Sequence, residues 1–191
     1  MAGFKAHITG STLMGIGYGV AGYAYGIPWP ICAVSGLGCS FAGMLPDLDS
    51  DSGVPVREML SILAAVVPAL MLPRFQQLGL QHEQLLLAVV VLYFAIRVGL
   101  GALFKHYTAH RGMWHSLPAA AAAGLVTFEL VCGSTLEIRL YKALAVVLGF
   151  VTHLVMDELW SVDLNGGIPR LKKSAGTALK LWTTNGLWPN I

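Results

Sequence analysis

Charged side chains are scarce in this sequence. Asp, Glu, Lys and Arg make up 12% of its 191 residues, against 55% apolar ones and a mean hydropathy of +0.66. Soluble domains carry roughly a quarter charged residues, so an ordinary soluble fold is excluded. Basic blocks are missing too: beyond Lys172-Lys173 no consecutive cations occur, and the formal net charge is only +2. Without a basic surface no nucleic-acid partner is expected. Cysteine is rare and badly spaced for chemistry. Cys32, Cys39 and Cys132 lie in or beside apolar runs with no CxxC pattern. An odd, scattered set gives neither a disulfide framework nor a thiolate zinc site, and reads as small packing residues. Also missing is a small-x-small cleavage site after the apolar stretch that follows Lys5. That stretch is therefore expected to stay as a first helix rather than act as a signal peptide. The length suits one integral-membrane domain over 1–191.

What is abundant is long apolar sequence. Several uncharged runs approach the ~20 residues that cross a bilayer as a helix. The expected fold is all-α: a polytopic transmembrane bundle of about six helices, or five if the third run does not cross. The first ten residues, MAGFKAHITG, read as a surface segment, with Ser11 or Thr12 capping a helix from Ser11 to Ile27. Its many glycines favour close packing inside a bundle. Pro28-Trp29-Pro30 makes a turn, and a second run covers Ile31 to Leu45. The polar segment 47–55, DLDSDSGVP, opens like a calcium-binding loop. It then fails, because Ser52 and Met59 occupy its sixth and twelfth positions, where Gly and Glu are required. Further runs cover Met59 to Leu72, Gln84 to Phe104, Pro118 to about Val131, and Tyr141 to Trp160, with polar loops at 73–83 and 133–140. Pro68 is tolerable inside a membrane helix. Arg97, inside the fourth run, either faces a partner or cavity or extends to a headgroup. The tail from about 161 to 191 holds Arg170, Lys172, Lys173 and Lys180 beside Trp182 and Trp188, which suits an interfacial position.

Six crossings put both termini and the loops around Asp47 and His110 on one side. That side collects Lys5, Arg57, Lys105, Arg111, Arg170, Lys172, Lys173 and Lys180, against Arg74, Arg139 and Lys142 opposite. The excess places the termini in the cytoplasm. The same count brings His7, Asp47, Asp49, His110, His115, His153 and Asp157 to one membrane face, although none of them entered it.

These residue types have a common chemistry. His153 and Asp157, four apart, share a helix face and can reach one metal ion. His110 and His115 flank Gly112 in the break HRGMWHSLP, where a turn can aim both rings inward. Asp47 and Asp49 offer oxygen ligands on one side of a locally extended segment. A set of imidazoles and carboxylates without thiolates suits zinc, manganese or iron, in one or two ions, and magnesium less well. Arg111 is placed to neutralise an anionic oxygen. Glu158 is the expected general base, although it projects some 100° around the helix from Asp157. Asp51 and Asp163 are further carboxylates without a rank. A bundle whose helix ends merely carry polar caps stays open as the bland alternative.

The early histidine of KAHITG (His7), LPDLDSD at 45–51, HRGMWHSL at 110–117 and HLVMD at 153–157 occur in an order that resembles one family. It is that of the YdjM/YbcI-type, LexA-regulated, membrane-bound metal-dependent hydrolases. The resemblance runs from end to end of the chain. It implies a multi-pass inner-membrane protein with a divalent-metal hydrolase site. The implied ligands are His7, Asp47, Asp49, His110, His115, His153 and Asp157. The order of ligands is also distantly similar to zinc-dependent phospholipase C and S1/P1-type nucleases. This chain departs from the family in carrying Trp114 where a small polar residue is more usual.

Three functions compete at this point. The first is a hydrolase for a phosphoester or ester of a lipid or amphiphile, reached from the bilayer, with membrane lipids or a lipid-linked substrate as its partner. The second is a metal-ion transporter or carrier. The third is a structural membrane protein with one stabilising metal.

Overall fold

The computed structural model describes residues 3–49, 54–103, 114–163 and 170–171. His110 and Arg111 lie outside them, as do Asp51 and most of the expected interfacial tail. Within the described residues the chain is helical: α1 Phe4–Ala24, α2 Trp29–Ala42, a 3₁₀ turn Leu45–Asp49, α3 Val54–Gln77, α4 His82–Phe94, α5 Leu117–Leu130 and α6 Leu136–Leu159. Helix α4 runs on through a π-helical turn, Ala95–Leu100, to Leu103. A two-residue antiparallel bridge follows α6, pairing Val162 with Leu171 and Asp163 with Arg170.

Among the described residues, three helical stretches are long and apolar enough to cross a membrane: Val56–Gln77, His82–Leu103 and Leu136–Leu159. Helices α2 and α5 have 14 residues each. At 1.5 Å per residue they rise about 21 Å, short of a full ~30 Å hydrocarbon core. The fold is thus an all-α membrane bundle, with six helices among the described residues, as its apolar runs indicate.

Packing follows the small residues. Helix α1 meets α2 where Gly15 faces Gly36, and a β-carbon on Gly15 would strike the Gly36 carbonyl. Helix α2 meets α6 where Gly149 lies on the Cys39 carbonyl, again with no room for a side chain. Close backbone approach of this kind is how membrane helices gain dispersion contacts without a hydrophobic driving force. Tyr18 and Tyr141 stack at 4.6 Å between ring centroids. Each hydroxyl donates to the other's backbone carbonyl, at 2.8 and 3.0 Å, which ties α1 to α6. The apolar core gathers Ala42, Met44, Leu45 and Leu48 with Met59, Leu60, Ala119, Ala120, Phe150 and Leu154. It lies directly beneath the ends of the helices that carry the polar cluster.

Several boundaries differ from the sequence reading, each for a physical reason. Helix α1 starts at Phe4, so Ser11 and Thr12 are not its caps. Ser11 is instead fully buried, its hydroxyl donating to the His7 carbonyl at 2.8 Å and to the Ser40 carbonyl of α2 at 2.9 Å. A hydroxyl that can bond back one turn and across to a neighbour has no need of a helix end. The loop expected at 73–83 shrinks to 78–81, because α3 continues through both Pro68 and Pro73. Helix α6 begins at Leu136, with the Thr135 hydroxyl accepting from the Ile138 amide. The segment around Asp47 is a 3₁₀ turn rather than extended. The side chain of Asp49 lies outside the described residues, so the expected common face with Asp47 falls outside them too.

Candidate metal centre

Alternating helix direction creates this site. It is assembled from the first turn of α1, the turn after α2, the residues just before α5 and the last turns of α6, which an up-and-down bundle brings to one end. His7 sits in the first turn of α1, and Asp47 in the 3₁₀ turn after α2. His115 lies just before α5, and His153 and Asp157 in the last two turns of α6. Four of the five are buried: His7, His115, His153 and Asp157 are at most 4% exposed. Only Asp47 reaches an intermediate position, with 29% of its side chain accessible. The cluster therefore opens on the side of the Asp47 turn.

Two triads place one ligand atom from each residue within 4.8 Å of one another: His7, His153 and Asp157, and Asp47, His115 and His153. His153 belongs to both. Its Nδ1 lies 2.7 Å from the Gly43 carbonyl. A carbonyl can only accept, so Nδ1 carries the proton of that bond and Nε2 is left facing the cluster. Nε2 has no hydrogen-bond partner, and it stands 3.7 Å from Asp47 Oδ1 and 3.9 Å from Asp157 Oδ2. Those separations are too long for N–H···O bonds. They fit donor atoms grouped around a shared cation, since ligands each at roughly 2.1 Å from an ion lie about 3–4 Å apart. The residues therefore fit a divalent metal. The Gly43 carbonyl would supply the outer hydrogen bond that orients such an imidazole as a ligand.

The other imidazoles support the arrangement. His7 stacks on His153 with 3.7 Å between centroids and 13° between planes. Its Nε2 lies 3.3 Å from Asp157 Oδ1, while its Nδ1 is buried without a hydrogen-bond partner. The two oxygens of Asp157 thus divide between the two rings. His115 meets His153 edge-on at 5.7 Å, its position fixed by neighbours on both sides. Ser116 is the N-cap of α5, its hydroxyl accepting from the Ala119 amide at 3.3 Å.

Trp114 went unrecognised in the sequence except as a departure from the family. Its Nε1 donates to the Leu45 carbonyl at 2.7 Å, and its ring packs edge-on against Phe150 at 6.1 Å. It therefore links three ligand-bearing segments: its own neighbour His115, the turn holding Asp47, and the α6 turn before His153. The available signal was an indole N–H, which usually finds a partner when buried, directly beside a histidine.

Some expected residues lie outside the described set, and one stands outside both triads. Asp49 falls in the 3₁₀ turn, but its side chain lies outside the described set, as do the side chains of His110 and Arg111. Glu158 is half-buried and stands outside both triads; its backbone carbonyl accepts from the Ser161 hydroxyl at 2.6 Å. The buried cysteines stay out of the centre as well. Cys39 packs in α2 with its thiol near the Ser11 carbonyl at 3.9 Å.

No curated protein and no solved structure matches the chain. The family described as YdjM inner membrane protein matches residues 1–188, nearly the full length. By this match over almost its whole length, the chain belongs to the YdjM inner membrane protein family.

Proposed function

We propose that the protein is a membrane-embedded, metal-dependent hydrolase that cleaves a phosphoester or ester of a lipid or amphiphile at the cytoplasmic face. One observation carries this reading: the Nε2 of His153, held outward by the Gly43 bond, faces the carboxylate oxygens of Asp47 and Asp157. Lone pairs turned towards one another in a buried place are costly without a cation between them. His7, Asp47, His115, His153 and Asp157 would hold that cation, which by donor type is zinc, with manganese or iron as substitutes. A divalent ion in such a cage supplies Lewis acidity, acidifying water and polarising an ester oxygen.

The chain's own residues supply the rest. The walls of His7, His115 and His153 keep bulk water out of all but the Asp47 side. Substrate enters there, at the depth of the helix ends. Arg111, four residues before His115 in sequence, would neutralise charge that develops on the ester oxygen. Glu158 would take the proton from the attacking water. The cationic residues of this end, Lys5 and Arg57 among them, support a cytoplasmic orientation. Transport is the weaker reading, because among the described residues the ligand groups gather at one end and line no path across the bundle.

The test is elemental analysis of the purified protein together with His153→Ala and Asp157→Ala variants, then assay against a panel of phospholipids and simple phosphoesters. The reading expects bound metal in the parent, its loss in both variants, and hydrolysis that falls with it. A parent that takes up no divalent metal under any loading condition would sink it. Metal that is bound and lost on mutation, with no hydrolysis on any substrate and a collapse of folding, would favour a structural ion.

A further inference from the structure

Arg97 is a cation that the other described residues do not account for. It lies on the π-helical turn Ala95–Leu100 of the α4 span, half-buried, in a segment that packs on α3. Four arginines have described side chains. Arg57 pairs with Glu58 at 3.8 Å and Arg74 with Glu129 at 4.0 Å. The Nη2 of Arg139 donates to the Phe128 carbonyl at 2.8 Å. Arg97 has no such partner among the described residues. The sequence offers it few others, since residues 104–113 and 164–191 contain no Asp or Glu. A guanidinium inside an apolar span needs an anion or a dipole to face.

Depth and surroundings say where that anion comes from. Arg97 is six residues before the end of its span at Leu103, as His153 is six residues before the end of α6. At 1.5 Å per residue this is about 9 Å below the helix end. An extended arginine is long enough to cover most of that distance, which puts a lipid phosphate at the membrane surface within its reach. The helix surface beside it is open: Val98 is 65% exposed, and a β-carbon on Gly99 would meet nothing within 4 Å. A π-turn inserted in an α-helix shifts the register of its side chains and recurs at binding sites. A planar guanidinium pairs with phosphate through two parallel N–H···O bonds.

We propose that Arg97 is a binding point for the phosphate of an anionic bilayer phospholipid, in the leaflet on the side of the metal centre. The lipid lies against the open side of α4, its phosphate on the guanidinium and its chains along the apolar surface of the helix. This position is separate from the histidine cluster and does not depend on the metal reading.

The experiment is native mass spectrometry of the full chain, released from detergent after delipidation and titrated with phosphatidylglycerol, phosphatidylcholine or inorganic phosphate. It is run with and without a chelator. The parent is expected to retain phosphatidylglycerol in preference to phosphatidylcholine, equally with and without chelator. Arg97→Leu is expected to lose roughly tenfold in that retention, and Arg97→Lys to stay within about threefold of the parent. Equal retention by the parent and Arg97→Leu would overturn the proposal. So would an equal loss in Arg57→Leu, which would show diffuse attraction by surface charge. Inorganic phosphate held as well as the lipid would make this a site for a soluble anion and overturn the lipid assignment. Should Arg97→Leu fail to fold, Arg97→Lys and Arg97→Gln carry the comparison: Lys is expected to retain the lipid and Gln to lose it.

Discussion

The two ends of the bundle solve the same problem in opposite ways. At the end formed by the α3–α4 and α5–α6 connections, polar groups are exposed and settled locally. Gln81 and Gln84 cap α4 reciprocally, and the Thr135 hydroxyl caps α6. Arg139 lays its guanidinium 3.9 Å over the Phe128 ring and bonds the Phe128 carbonyl, one of the acceptors left over at the end of α5. At the other end, three histidines and an aspartate are buried together, drawn from three different segments, and meet across helices. Local capping satisfies helix ends at little cost. Burial of convergent ionisable groups is expensive and persists where a bound ion or a reaction repays it. The difference contrasts an end satisfied by local caps with one whose buried groups fit a metal ion.

Mutations at the two ends should therefore separate two readouts, metal binding and thermal stability. The largest effect is expected for His153→Ala, which removes the atom common to both triads. Loss of an outer-shell partner alone typically lowers metal affinity by 10–100-fold, so loss of this ligand should cost on the order of a hundredfold or more. Competition with a chromogenic chelator measures it, and unchanged affinity would erase the contrast between the ends. A smaller change at the same end sharpens it. Trp114→Phe keeps the ring against Phe150 but removes the hydrogen bond to the Leu45 carbonyl. Metal affinity is expected to fall about tenfold, the lower limit for an outer-shell change. The metal-free protein should lose only about 1 kcal/mol, the usual worth of one hydrogen bond. Equal destabilisation with and without metal would show that Trp114 merely holds the fold.

Much of this contrast was visible in the sequence, and the reason is geometric. Six apolar runs fix an alternation of helix direction. Alternation alone sends His7, Asp47, His115, His153 and Asp157 to one end, whatever the details of packing. The spacing of His153 and Asp157 also survives, because both stay within α6. What was not legible depends on partners distant in sequence. The start of α1 was hidden because Lys5, His7 and Thr9 give MAGFKAHITG a surface character. Burial of His7 is decided by α6, more than a hundred residues away. The 3₁₀ turn at Leu45–Asp49 was hidden because Pro46 and alternating aspartates suit an extended loop equally well. Trp114 as a clamp needs Leu45 and Phe150 to be known neighbours, and no periodicity announces that.

The smallest effects belong to the opposite end, and they test whether it is structural only. Arg139→Met keeps an apolar stem beside Phe128 and removes the charge over the ring with the hydrogen bonds to the carbonyl. A half-exposed cation–π contact and a charged hydrogen bond together suggest a loss of about 1–2 kcal/mol, read as a lower melting temperature. Metal affinity should not move. Smaller still is Glu129→Gln, which breaks the pair with Arg74. Their side chains are 67% and 43% exposed and 4.0 Å apart. Solvent screens such a pair, so the expected change is within about 0.5 kcal/mol, shrinking further as salt is added. A melting temperature that falls sharply in Glu129→Gln, or a metal affinity that falls with it, would mean that α3 and α5 transmit strain from this end to the histidine cluster. The division between a locally capped end and a convergent one would then have to be abandoned, since His115 stands immediately before α5 and would feel any shift of that helix along its axis.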